Sequence, residues 1–219
     1  TGQIAPTTST FTDATQPPYF RSYNPISSGT RYFPILSAVL NGTNAAPGDK
    51  LPSVAFVLNN RLTVRDNNPN GGAVAYKTVQ VTIDAGQGPF LITNDFKGTY
   101  SAGANATVTW SVNNTNTASP NVTILLSTDG GSSFPTTLLA STANNGSASI
   151  TFPNNINTNA ARIKIQPTNN IYFDISNYDF AISNQTGVVW TGVTNTNWNT
   201  NSNWNTNNVP GTSDSVIIA

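Results

Sequence analysis

Apolar residues recur at every second position over much of this chain, which is the period of a strand with one buried face and not that of a helix. Val79, Val81 and Ile83 fall on one side of a run, Val108, Trp110 and Val112 on one side of a second, and Val122, Ile124 and Leu126 on one side of a third. Between such runs lie clusters that turn the chain, among them Asn67-Asn68-Pro69-Asn70-Gly71-Gly72, Asp129-Gly130-Gly131 and Asn144-Asn145-Gly146. Asn and Gly tolerate the left-handed backbone that tight hairpins require, so short antiparallel strands are predicted on either side. A single segment predicts helix. Pro34 can occupy a first turn, Ile35, Leu36, Val39 and Leu40 share a face, and Asn41-Gly42 supplies a stop, giving two turns at most.

This spacing predicts an all-β chain: tandem immunoglobulin-like or fibronectin type III-like β-sandwiches followed by the start of a third β module. The first module spans 1–88, with its clearest strands near 54–58, 62–64 and 74–83. Residues 1–30 hold Pro6, Pro17, Pro18 and Pro25 with little alternation, so this module is expected to lack its N-terminal strands. The second spans 89–184, with strands near 90–92, 107–112, 122–127, 137–140, 149–152, 162–165, 171–174 and 178–182, and Trp110 as its core anchor. The third, 185–219, is a Trp/Asn/Thr-rich module read as truncated. Starting at Thr1 and stopping at Ala219 within an apolar run, the chain reads as a piece of a longer protein. Sheet edges near both ends are then expected to be completed by other segments of the parent protein or by a partner chain.

Composition narrows the chemistry. Charged residues make up 8% of the chain, against about 25% in ordinary domains, while 37% is hydrophobic, so the chain has the means to fold but a surface solubilised by Asn, Thr and Ser. That surface suits an exported bacterial protein, extracellular or on the outer cell surface. Nine basic and nine acidic residues cancel, leaving no electrostatic attraction for nucleic acid or anionic lipid, and no apolar run approaches a membrane span. Histidine, cysteine, methionine and glutamate are absent altogether. Zinc hydrolysis and Ser-His or Cys-His relays lose their ligands and bases, so this stretch is expected not to be an enzyme. The remaining alternative is an Asp-based hydrolase, built from two of the nine aspartates at about 5–9.5 Å.

Three stretches carry a resemblance. Pro18-Tyr19-Phe20-Arg21-Ser22-Tyr23-Asn24-Pro25, Arg31-Tyr32-Phe33-Pro34, Leu51-Pro52-Ser53-Val54 and Arg61-Leu62-Thr63-Val64-Arg65-Asp66-Asn67 together resemble the segment after the catalytic domain of secreted reprolysin-like zinc metallopeptidases from bacteria with type IX secretion. Val108-Thr109-Trp110, Ile124 through Gly131, Ala161-Arg162-Ile163-Lys164 and Phe173-Asp174-Ile175-Ser176 are similar to the immunoglobulin-like module that follows in those proteins. Trp190-Thr191-Gly192, Trp198, Asn203-Trp204, Val209-Pro210 and Val216-Ile217-Ile218 look like the opening of a repeat-rich or β-helical adhesin-type module. The resemblance implies a non-catalytic accessory, spacer and binding region of an exported protein, with the zinc-binding helix in sequence not given. Its implied partners are other segments of the parent protein or a protein of the export machinery. A carbohydrate-binding adhesin segment, with a glycan as partner, is the alternative.

Some residues invite site readings. Asp66, Asn68 and Asn70 gather oxygen ligands on one loop, which makes calcium the only cofactor considered, although no Glu offers a bidentate ligand and the spacing is not that of an EF-hand. A contribution from Asp84 or Asp95 would strengthen such a site. Trp190, Trp198 and Trp204 could stack sugar rings if exposed in a row, or else pack as a core. Ser127-x-Asp129-x-Gly131-x-Ser133-Phe134 matches the sialidase Asp-box pattern, whose single copy predicts a structural hairpin. Arg21, Arg31, Arg61 and Arg65 are read as tethers for loop carbonyls and carboxylates. Ser215, within Asp214-Ser215-Val216, resembles an O-glycan acceptor of such bacteria.

Overall fold

The computed structural model describes residues 19–22, 24, 29–184, 187–212, 214 and 216–218. Over these the chain is nearly all β. Helix α1 (Leu36–Leu40) buries Ala38 and Val39 and stops where Gly42 turns to a φ of 72°. Strands β1 (Ala45–Ala46) and β2 (Asp49–Lys50) form a minimal hairpin. Strands β3 (Phe56–Arg65) and β4 (Val74–Ile83) form a long antiparallel ribbon, paired from Phe56–Ile83 to Arg65–Val74. β3 is one strand where two were expected. Asn59 and Asn60 stay extended because the ladder to Gln80 and Val79 holds their backbone.

The sandwich follows, with β5 (Leu91–Ile92), β6 (Thr99–Ser101), β7 (Asn105–Ser111), β8 (Asn121–Ser127), β9 (Thr136–Ala143), β10 (Ser147–Thr151), β11 (Thr158–Pro167), β12 (Asp174–Ile175) and β13 (Phe180–Ser183). One sheet runs β10-β7-β5 and the other β6-β13-β11-β8-β9, with β12 also on β11. Three strands facing six make a β-sandwich, and one edge of the larger sheet ends in the parallel pairing of β6 with β13. The expected strand near 171–174 shrinks to β12, and β6 was not expected. At the end of the chain, β14 (Val188–Trp190) pairs in parallel with β15 (Val216–Ile218) across a 3-10 turn at Asn201–Asn203.

Period-two alternation builds the core. Val108 and Trp110 on β7, Val122, Ile124 and Leu126 on β8, Ile163 and Ile165 on β11, and Phe180 and Ile182 on β13 all close on each other between the sheets. Each aliphatic chain so buried contributes about 1.5–3 kcal/mol relative to exposure. Phe96, Tyr100, Phe152 and Phe180 form an aromatic end to this core, with ring centroids 5.2–5.9 Å apart. Trp110 anchors the other end, and its indole N–H donates to Asn144 Oδ1 at 2.8 Å.

The first module looks different from a second sandwich. Among the described residues the ribbon has no covering sheet. Phe56, Leu58, Leu62 and Val64 share a face with Val79, Val81 and Ile83, yet Leu62 is 66% and Val79 53% exposed. Only its base is packed, where the Phe56 ring meets Tyr19 at 5.1 Å. The segment 31–50, by contrast, is held to the sandwich. Arg162 Nη1 donates to Leu40 O, Tyr32 meets Phe173 edge-on at 5.5 Å, and Leu40 lies against Gly131. Gly131 has a φ of 87°, and a Cβ there would overlap the Leu40 side chain, so no other residue serves at that position.

Replacing Asn144 by Ala strands both the Trp110 N–H and the Ser119 carbonyl, to which Asn144 Nδ2 donates at 3.0 Å. Two buried groups without partners cost about 2–4 kcal/mol together. Urea unfolding of Asn144→Ala should therefore show a lowered midpoint with an unchanged slope.

Candidate functional site

The calcium candidates sit on the loop that joins β3 to β4, and the turn itself uses their oxygens. Asp66 Oδ1 accepts the amides of Asn68 at 3.1 Å and Ala73 at 2.9 Å, and Asn68 Oδ1 accepts the amide of Asn70 at 2.9 Å. These are consecutive Asx turns, the local arrangement that Asp and Asn adopt without any ion. The strengthening partner is out of reach. Asp84 follows Ile83 at the opposite end of the ribbon, about 30 Å away at ~3.3 Å per residue. Asp84 instead caps its own turn, accepting Gly86 N at 2.8 Å and Gln87 Nε2 at 2.8 Å, and Asp95 pairs with Lys97 at 2.7 Å. No group of three or more acidic ligands gathers among the described residues.

The three tryptophans are brought together, but as a packed cluster and not as a row. Trp204 is 2% exposed and stands edge-on to Trp198 at 4.4 Å and to Trp190 at 5.0 Å, while Trp190 and Trp198 stack at 5.8 Å with planes 13° apart. Trp204 Nε1 donates to Trp198 O at 2.9 Å. Beneath them Asn203 is fully buried and uses its whole amide. Its Oδ1 accepts Thr194 N at 2.9 Å and Asn195 N at 3.1 Å, and its Nδ2 donates to Asn195 Oδ1 at 2.9 Å and Asn197 O at 2.8 Å. Trp198 keeps 43% of its surface in solvent. A signal for this hub is present in the sequence: Asn-x-Asn-Trp-Asn-Thr-Asn occurs at 195–201 and again at 201–207, sharing Asn201. Packing separates the two copies, burying the second Trp and leaving the first half open.

The Asp-box stretch forms the expected structural hairpin between β8 and β9. Ser127 Oγ donates to Asp129 Oδ1 at 2.6 Å, Ser133 Oγ donates to Asp129 Oδ2 at 2.6 Å, and Gly131 N donates to Ser127 Oγ at 2.9 Å. The two hydroxyls and the Ser133 amide hold the Asp129 carboxyl down at about 2. Phe134 does not plug the core. With Tyr32 and Phe173 it lies around Lys164 on the outer face of β11, at 5.5, 5.8 and 4.6 Å from the ammonium. Burial among these rings pushes the Lys164 ammonium below its ordinary value.

The tethers divide. Arg31 grips the buried Asp49 with Nη2 at 2.8 and 3.1 Å from its two oxygens, and Asp49 Oδ2 also accepts Ile35 N at 3.1 Å. Arg21 lies along Gly48, and Arg61 stacks on Tyr76 at 4.5 Å instead of reaching a carboxylate. The widest-reaching tether is Arg162, bound to Asp179, Ser176 O and Leu40 O, which the sequence did not single out. Ser215 lies outside the described residues, and the neighbouring Asp214 accepts Gly211 N at 2.7 Å.

Asp174 was also missed. It sits on β12 of the larger sheet, 8% exposed, and its Oδ2 accepts the amide of Ile92 on β5 of the smaller sheet at 2.6 Å. It thus stitches the two sheets by one carboxylate. Each of the eight described aspartates holds a backbone amide, a hydroxyl, an Arg or a Lys in this way. A separate groove of about 550 Å3 lies where the sandwich meets the last segment, lined among the described residues by Asn154, Asn155, Asn184, Asn205, Thr191 and Gly103 with others and by no charged side chain. No family model matches the chain, and no curated protein matches it either.

Two outcomes follow. Burial pushes the Asp174 carboxyl up to about 6, against the pull of the Ile92 and Ile175 amides. The folded state therefore holds this proton more tightly than the unfolded chain does, and the stabilisation is complete below about pH 4 and lost as pH rises through about 6. Up to about 3 kcal/mol is at stake, at ~1.4 kcal/mol per pKa unit. Asp174→Asn, whose amide oxygen can still accept Ile92 N, should flatten the fall of the urea midpoint between pH 4.5 and 7.5 and stabilise the chain at the higher pH. Separately, Asn203→Ala removes four side-chain bonds beneath the tryptophans, and its fluorescence should shift to the red at urea concentrations that leave the sandwich folded.

Proposed function

We propose that this chain is a non-catalytic spacer and contact region of an exported or cell-surface bacterial protein, of the kind that accompanies the catalytic domain of reprolysin-like zinc metallopeptidases exported by type IX secretion. The observation that carries this reading is a division of labour. Seven of the eight described carboxylates hold a turn, a sheet or a neighbouring segment and the eighth, Asp95, pairs with Lys97, while the ribbon β3–β4 offers an apolar face to solvent. General acid-base work needs a carboxylate free to reach a substrate, and the paired geometry of glycoside hydrolysis needs two. Contact surfaces need only exposed apolar area on a rigid support, which the sandwich supplies.

A second reading, carbohydrate binding by an adhesin segment, moves away from the tryptophans and rests on the Asn-lined groove. Amide groups offer donors and an acceptor in one plane, a match to sugar hydroxyls, and the absence of charge there suits a neutral glycan. Ser215 remains the candidate for an O-linked glycan on this chain itself. Purified chain incubated with casein, peptide and polysaccharide substrates should show no turnover above a heat-inactivated control. Turnover that is lost on replacing a single Asp would refute the non-catalytic reading, and a glycan-array signal abolished by Asn154→Ala would favour the second.

A further inference from the structure

We infer that the apolar face of the β3–β4 ribbon is the docking surface for a second copy of this chain, two ribbons closing face to face about a two-fold axis. The inference rests on the contact-region reading above and names its partner. Among the described residues the ribbon pairs with no other strand, and an isolated two-stranded hairpin is marginal in water, so a cover adds to its stability. Leu62 is 66%, Val64 59% and Val79 53% exposed on one face, against 36% for Phe56 at the packed base, while the opposite face also exposes Val57, Val74 and Tyr76 but sets Arg61 and Arg65 among them.

Charge selects the partner. The face holds one ionised group, Lys77, which stands opposite Leu62 and can lay its stem along apolar surface with its head in water. A foreign partner recognised by charge would need a pattern that this face does not carry. A copy needs none, because a two-fold contact matches a surface to itself, and the chain's zero net charge gives two copies no mutual repulsion. Arg61 and Arg65 on β3 and Lys77 on β4 place cations along both strands, which discourages edge-to-edge growth and leaves the closed face-to-face pair. The ribbon is ten residues long, about 33 Å, and about 10 Å wide, so two copies bury on the order of 1,000 Å2 in all. That is the low end of specific interfaces and implies a reversible, micromolar dimer.

Light scattering on the full chain, from about 1 µM to about 500 µM, brackets such an affinity. The mass should rise from one chain toward two. Leu62→Lys and Val79→Lys should each weaken association at least about tenfold, since each places an unpaired charge in the buried patch. Thr82→Lys, on the opposite face, should leave it unchanged. Circular dichroism of each variant reports the fold, which substitutions at such exposed positions do not disturb. A chain that stays monomeric throughout overturns the proposal, as does association indifferent to Leu62→Lys and Val79→Lys. So does a monomer whose ribbon amides exchange slowly until residues 1–18 are deleted, because the chain's own N-terminal segment would then be the cover. A monomer without enzymatic turnover leaves the spacer reading standing, whereas turnover removes that reading at any mass.

Discussion

Strand β11 carries the structure on both of its faces. Inward, Ala161, Ile163 and Ile165 lock into the opposing sheet with no exposure to water. Outward, the alternate residues Arg162 and Lys164 do a different task, the first capping Leu40 of α1 and the second lying among Tyr32, Phe134 and Phe173. The backbone pairs with β8 along one edge and with β12 and β13 along the other. A one-residue slip of this strand would send the cations into the core and the isoleucines into solvent, so the sandwich and the docking of the 31–50 segment share one register.

A chain so poor in charge has few ion pairs to spend, and amides take their place. Asn144 joins Trp110 to the 115–119 loop, and Asn203 organises the segment under the tryptophans. Neutral amides cost less to bury than carboxylates, since no charge must be desolvated. The exception proves costly: Asp174 bridges the sheets, and burial raises its proton affinity well above that of a free carboxyl. Where charges do pair in partly buried surroundings, Arg31 with Asp49 fastens the N-terminal segment internally, and Arg162 with Asp179 joins β11 to the residue before β13 within the sandwich.

Alternation made the sandwich legible, because burial on one face of a strand leaves a mark every second residue. Val108 and Trp110, and Val122, Ile124 and Leu126, are core residues as the pattern requires. The same pattern at Val79, Val81 and Ile83 correctly located a strand but not its surroundings, since periodicity records which side is apolar and says nothing of what covers it. β6 escaped notice because three residues, Thr99–Ser101, are too few to show a period, and its place is set by β13, some eighty positions away. Asp174 and Arg162 were invisible for a related reason. Each acquires its role from a partner that only the fold brings near, whereas the Asp-box and the Asx turns at 66–70 close within a few residues and could be read directly.

The parallel pairing of β6 with β13 bears on how tension would travel through this region. β6 lies near the start of the sandwich and β13 near its end, so a pull on the flanking chain draws the two strands in opposite directions along their own axes. Their bridging hydrogen bonds, linking Thr99, Tyr100 and Ser101 to Ala181, Ile182 and Ser183, then bear the load together in shear instead of opening one after another like a zipper. A chain drawn out from both sides of this sandwich would resist extension at that seam first.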